Sequence, residues 1–383
     1  MNARGRWKIA LALAATVVLA ACGGNGGGSS SSGGGFDAEN YFRGKTVRVI
    51  ITHNAGGGSD LYGRFIASRL GEALPGKPRV TVTNVDGLGG IGDIFSAKAD
   101  DLVIGVSSQA SELYTTVLDP ASTIDPSKIR MIGGTGADPR ALTLFTEASA
   151  TYGSEFGKAA GSTTPQLKWA QTVGSATDVV SDSFLASWLC DTLKAPCDMV
   201  SVAADDSTDI NLMVQRKELN TQLGTVVTMM RDYSKQLVDG SVKIAFEYAQ
   251  DSHTKVTPPE GVKVPDIMGV LPDSAKADYD RILPIISGGG LGKHFWVGPA
   301  TSDDVLNALR TAYSQVVGDP KNVDHLQSTM SGESSGGATY KYEVSAVSGE
   351  DAQKAYQTNA DSFQKNLSYY EELQKKYYDQ FWK

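Results

Sequence analysis

Beyond residue 45 the chain alternates two hydrophobic rhythms. Residues 46–52 (TVRVIIT) form an unbroken β-branched and apolar run, which predicts a buried strand. Glycines 56, 57 and 58 follow with Ser59 and Asp60, and then Leu61, Phe65, Ile66 and Leu70 recur at helical spacing, predicting a helix with those four on one face. Residues 80–85 read as a second strand, the glycine-rich stretch 87–92 leads into a short helix through Phe95, and residues 102–106 read as a third strand. Farther on, Phe184, Leu185, Trp188 and Leu189 mark a helix and residues 199–202 a strand. Near the C-terminus Tyr356, Phe363, Leu367, Tyr370, Leu373, Tyr377 and Phe381 form a helical stripe, read as a packing face against the first domain. Off the stripe, Tyr369, Tyr378 and Trp382 leave room for a partner surface.

Strand–helix–strand alternation predicts a parallel sheet with helices on both faces, which binds ligands beyond the carboxyl ends of its strands. Both glycine loops fall there. A glycine loop after a strand often only permits a tight turn, but two in succession, each opening a helix, leave backbone N–H groups and the positive ends of helix dipoles facing one place. The expected chemistry is anion binding. Gly87-x-Gly89-x-x-Gly92 fits a dinucleotide fingerprint, yet it follows the second strand and no carboxylate ends the third, so a nucleotide is disfavoured. Gly332-Glu333-Ser334-Ser335-Gly336 has nucleophile-elbow spacing without an apolar strand before it and reads as a surface loop. The run 288–294 (GGGLGKH) lacks the first glycine and the Ser or Thr of a phosphate loop and reads as a loop or hinge.

The first 21 residues carry Arg4, Arg6 and Lys8 and then an apolar run that is short for a membrane span, the layout of a secretory signal. The run ends Leu19-Ala20-Ala21-Cys22, a bacterial lipobox in which Cys22 is lipidated; the other reading is an ordinary signal followed by a chance cysteine. Residues 23–35 are Gly, Ser and one Asn, a flexible tether. Loss of the leader takes the formal charge from −8 to −11. Cys190 and Cys197 remain as an even pair in an oxidising compartment, read either as a disulfide clasping a helix-to-strand turn or as two buried thiols.

Composition narrows the function. Four scattered histidines and no CxxC disfavour a metal site, and 43 acidic against 35 basic residues lack the footprint of a nucleic-acid binder. No nucleophile, base and metal set marks an enzyme, and no cofactor motif survives. The length of 383 residues suggests two domains.

The 45–50 strand followed by Ala55-Gly56-Gly57-Gly58-Ser59-Asp60 resembles the opening of the solute receptors of tripartite tricarboxylate transporters, the Bug-type periplasmic binding proteins. Asn84-Val85-Asp86-Gly87-Leu88-Gly89-Gly90 is similar to that family's second signature, Gly174-Ser175 to its second-lobe loop, and Phe295-Trp296-Val297-Gly298-Pro299 with Gly318-Asp319-Pro320 to its late elements. The resemblance spans about residues 44–380.

It implies an α/β, two-lobed, type II flytrap fold, each lobe a mostly parallel sheet flanked by helices. Lobe 1 is expected at 36–138 and 252–383 and lobe 2 at 139–251, after a 1–21 leader and a 22–35 lipidated tether, with crossings near residues 137–140 and 250–253. The implied ligand is a small organic carboxylate held by Asn54, Gly56, Gly57, Gly58, Ser59, Asp60, Gly87, Leu88, Gly89, Gly90, Ser107, Ser108, Gln109, Gly174, Ser175 and Thr177. Asp60 is expected to fix its loop or hold a water, because like charges repel. The chain departs from the family at His53-Asn54-Ala55, where prolines are usual, and at residues 202–207, where Asp205 and Asp206 either favour an amine or hydroxyl on the ligand, as on a monocarboxylate or a neutral-tailed acid, or form a solvated turn. The implied role is a monomeric, lipid-anchored, extracytoplasmic receptor delivering solute to integral-membrane transporter subunits. The other is a same-fold sensor that signals to a membrane kinase.

Overall fold

Strand β1, Thr46–Ile51, buries Val47, Val49, Ile50 and Ile51 and lies inside a six-stranded sheet. In the computed structural model the described residues are 35–85, 87–119, 121–153, 155–172, 181–202, 207–248, 254–287, 290–333 and 339–382. Residues Asp37–Lys383 form a unit of their own, and the description concerns that unit. Around β1 stand β2 (Arg79–Asn84) and β3 (Val103–Ser107), both parallel to it. Beyond β3 the direction reverses. The order is β14-β4-β11-β3-β1-β2, with β4 at Arg130–Gly136, β11 at Leu291–Val297 and β14 at Ala346–Val347. Strand β11 runs antiparallel to both β3 and β4.

The chain leaves this sheet at Gly136 and starts β5 (Arg140–Leu144) of a second. There β5 is antiparallel to β8 (Thr221–Thr225) and β9 (Lys243–Glu247), while β6 (Leu167–Thr172) and β7 (Cys197–Val202) pair in parallel. Asn220 and Thr221 join β8 to β6, the Asn220 N–H and the Thr221 hydroxyl both donating to the Lys168 carbonyl. In the first sheet the inner strand β11 and the edge strand β14 run against the other four, and in the second β5 runs against β8 and β9. This is the two-lobed α/β architecture expected from the sequence. A small sheet of β10 (Lys255–Thr257), β13 (Thr339–Glu343) and β12 (Gly332–Glu333) completes the described strands.

Helix Gly58–Ala73 covers one face of the first sheet together with Asp303–Gly318, and their contact with β1, β3 and β11 is a single apolar cluster. The buried row on Gly58–Ala73 is Tyr62, Ile66, Ala67 and Leu70, whereas Leu61 is 41% exposed and Phe65 is half-buried against His325. Of the expected face Ile66 and Leu70 are buried, while Tyr62 and Ala67 take the places expected for Leu61 and Phe65. Both rows satisfy helical spacing, and Tyr62 wins because its hydroxyl reaches the buried Tyr313 hydroxyl, 2.8 Å away. Local signals elsewhere are conventional: Ser302 accepts from the Val305 N–H, and Asp319 caps helix Pro320–Met330, whose first residue is proline.

A second cluster runs on without a break from the other face of the first sheet to the second sheet, through helices Ser181–Leu193, Asp273–Ser287 and Gly349–Lys365. The C-terminal stripe belongs to it and divides its contacts, which corrects the expectation that it packs on the first lobe alone. Phe363 meets Tyr114, at 5.2 Å between ring centroids, but Tyr377 meets Phe184 at 5.5 Å, and the Trp382 indole donates to Ser187. The apolar side of Ser181–Leu193 needs a cover, and the end of the chain supplies it. Tyr369, set apart as a surface aromatic, donates to Asp278 and lies under the Arg281 guanidinium; Tyr378 is 37% exposed.

Cys190 and Cys197 form a disulfide with Cα atoms 5.9 Å apart, joining Ser181–Leu193 to the start of β7. The glycine run that starts at residue 288 is described from Gly290, and its end is not a loop. Leu291–Val297 is wholly buried, because a strand between β3 and β4 has both faces covered. The leader, Cys22, the tether, the 250–253 crossing and most of the 332–336 motif lie outside the described residues.

Candidate ligand-binding site

Strands β1, β2 and β3 end side by side, with Ile51 paired to Asn84 and to Val106. Three connections leave that edge: residues 52–57, 85–86 and 108–110. Asp60 organises the first. Its carboxylate accepts from the Gly56 N–H at 3.0 Å, from Arg64 at 2.8 Å and from Asn84 at 2.9 Å, and the same Asn84 amide donates to the His53 carbonyl. Burial alone would raise the Asp60 pKa, but these donors and the Arg64 charge together hold it below the usual carboxylate value. With its oxygens so engaged, Asp60 shapes the loop.

Ala55, Gly56 and Gly57 are exposed, Asn54 and Gly58 half-buried, and Ser59 buried. Gly57 caps helix Gly58–Ala73 without a side-chain hydrogen bond. Two glycines of the next connection are needed for shape: Gly87 has φ +57°, and a Cβ on Gly90 would stand 2.1 Å from the Val85 carbonyl oxygen. Gly87 donates its N–H to the Thr52 carbonyl, so the two glycine loops touch. Gly87 and Gly89 are exposed and Leu88 half-buried.

At the end of β3, Ser107 is fully buried, accepting from Thr52 at 3.0 Å and from the Trp296 indole at 3.1 Å. Ser108 and Gln109 are half-buried. The Ser108 hydroxyl donates to Glu112 at 2.5 Å, and His53 donates to the other Glu112 oxygen at 3.1 Å. Burial opposes ionisation of Glu112, yet His53 and Ser108 outweigh it and keep the carboxyl acidic. The first-lobe residues named from sequence thus converge on one edge, while Gly174, Ser175, Thr177, Asp205 and Asp206 lie outside the described residues.

Sequence reasoning missed the side chains behind this edge. Lys293 and Asp138 form a buried ion pair, and Tyr342 donates to the other Asp138 oxygen at 2.6 Å. Asp138 lies between β4 and β5, while Tyr342 pairs with Val256 of β10, so the cluster joins segments that precede and follow residues 139–251. Lys293 also reaches the first glycine loop, its Cε standing 3.3 Å from where a Gly58 Cβ would be. Arg140, opening β5, donates from Nη2 to both Asp182 oxygens and from Nε to the Tyr248 hydroxyl. No sequence spacing links residues 53 and 112 or 138 and 293. Among the described residues no group of three or more His, Cys, Asp or Glu side chains is arranged to hold a metal.

No protein-family model matches the chain, and no curated protein matches it by sequence. Solved structures do match. A TctC solute-binding protein from Polaromonas is 18% identical, with 87% of this chain and 98% of that one aligned and a TM-score of 0.54. The periplasmic binding protein BugD is 17% identical over 84% of this chain and 97% of its own, with a TM-score of 0.56. MatC from Rhodopseudomonas palustris, solved with bound malate, is 17% identical over 86% and 99%, with a TM-score of 0.57. By these alignments the chain has the fold of the Bug- and TctC-type periplasmic solute-binding proteins.

Proposed function

We propose that the protein is an extracytoplasmic solute receptor, tethered by a lipid on Cys22, that closes two lobes on a small organic carboxylate and hands it to a tripartite tricarboxylate-type membrane transporter. Lobe 1 comprises residues 36–138 and 252–383, and lobe 2 residues 139–251. It acts as a binding protein without catalysis. The observation that carries the reading is the contact of two glycine loops at one sheet edge, where Asp60 is already satisfied and uncapped backbone N–H groups open a helix. Such a site suits an anion held by dipoles, which a net charge of −11 does not oppose: screening at physiological salt acts over about 8 Å. The malate held by MatC, a relative in fold, supports the same ligand class.

Mass spectrometry of small molecules released from freshly purified, denatured protein tests the proposal. A stoichiometric organic acid is expected; a nucleotide, a sugar or a metal complex in its place would overturn it. For delivery rather than sensing, the full chain should pull down a multi-span membrane transporter subunit after crosslinking in its host, and capture of a sensor kinase alone would overturn that part.

A further inference from the structure

Where β3 runs into helix Ser111–Tyr114, acceptor atoms gather, and two of them, on Gln109 and His294, have no donor. An ionised carboxylate can only accept, so both contacts of Glu112 consume protons: the Ser108 hydroxyl spends its single proton on one oxygen and His53 spends an N–H on the other. The Glu112 side chain is nevertheless 25% exposed, and each of its oxygens has lone-pair capacity left.

Behind it stands His294, 0% exposed, in the β11 register position opposite Ser107. Its Nδ1 lies 2.7 Å from the Gly292 carbonyl, which accepts only, so Nδ1 carries the hydrogen and Nε2 is left as a bare lone pair. That Nε2 is buried without a partner, and the ring interacts electrostatically with both Glu112 and His53. The Gln109 Oε1, from the same connection, is likewise buried and unmatched. An unmet buried acceptor is destabilising, and these two lie beside the edge where the glycine loops present N–H groups.

We propose that the solute carries, close to its carboxyl group, a hydrogen-bond donor, a hydroxyl or an ammonium, and that Glu112 receives this donor while the glycine loops hold the carboxylate. The inference rests on the receptor reading and narrows it. A site furnished with acceptors discriminates against the analogue lacking the donor, because its acceptors then stay unmatched. A second carboxylate at the same place would meet the like charge of Glu112.

Calorimetric titration of the purified full chain after exhaustive dialysis, with the matched pairs lactate and propionate, malate and succinate, 3-hydroxybutyrate and butyrate, and with alanine, tests this. In every pair that binds, the donor-bearing member should bind at least about tenfold more tightly. Glu112→Gln should still bind but cut that preference below about threefold. Near-equal affinities within the pairs that bind would overturn the inference and leave the receptor reading intact. A preference unchanged in Glu112→Gln would overturn the role of Glu112. Binding of no acid in the panel would overturn both readings. Should Glu112→Gln fail to fold, the wild-type pairs alone decide.

Discussion

At Gly105 the chain has no side chain because Trp296 occupies the space: a Cβ there would lie 2.5 Å from the indole Nε1 and 2.8 Å from the Ile94 Cδ1. Gly105→Ala should therefore cost about 1–3 kcal/mol by overpacking, read as a lower urea midpoint. An unchanged midpoint would mean that Trp296 can move aside. His294 gives a pH signature. Burial is the main force lowering its pKa; His53 adds to it, while Gly292 and Glu112 oppose it. A histidine with a depressed folded pKa is held neutral, so the unfolded chain binds the proton first and stability falls as pH drops below about 6.5. His294→Gln should flatten the stability profile below about pH 6.5, and a profile identical to wild type would count against this account. The donor network of Asp60 was only half legible in sequence. Its place next to the glycines suggested a loop-fixing role, but Asn84 and Arg64 as partners depend on the register of β1 with β2.

Among the elements, strands and helices near residues 46–106 were readable because their patterns are local and β-branched runs alternate with glycine-started helices. The misreadings are also physical. The Leu61 and Tyr62 rows are equivalent by period, and only the distant Tyr313 hydroxyl separates them. The glycine-rich run 288–294 reads as a loop or hinge, yet Lys293 and His294 lie in β11, and nothing in the sequence reveals that Asp138, 155 positions away, neutralises Lys293. Removing one member of that pair strands a buried charge: Lys293→Met should cost about 3–5 kcal/mol, and the double change with Asp138→Leu should recover part of it. A single-variant loss below about 1 kcal/mol would show that water reaches the pair. The disulfide closes a short loop, so its loss in a Cys190→Ala, Cys197→Ala double variant should cost only about 2–3 kcal/mol, measured by denaturation at equal pH.

For the whole molecule, sequence supplied the two-sheet plan but not the continuity of its core. Apolar residues of both sheets join through Asp273–Ser287 and the C-terminal helices, so one buried cluster serves both lobes. Scanning calorimetry should accordingly show a single cooperative transition with equal calorimetric and van't Hoff enthalpies; two resolved transitions would contradict a shared core. The C-terminal turn, with Trp382 bound to Ser187 on helix Ser181–Leu193, has an optical consequence. Beyond residue 35 the tryptophans are Trp169, Trp188, Trp296 and Trp382, and the first three are 2% exposed or less. Emission from those three is fixed by the interior. A red shift on ligand addition that disappears in Trp382→Phe is therefore the fluorescence signature of the chain's last turn lifting from that helix.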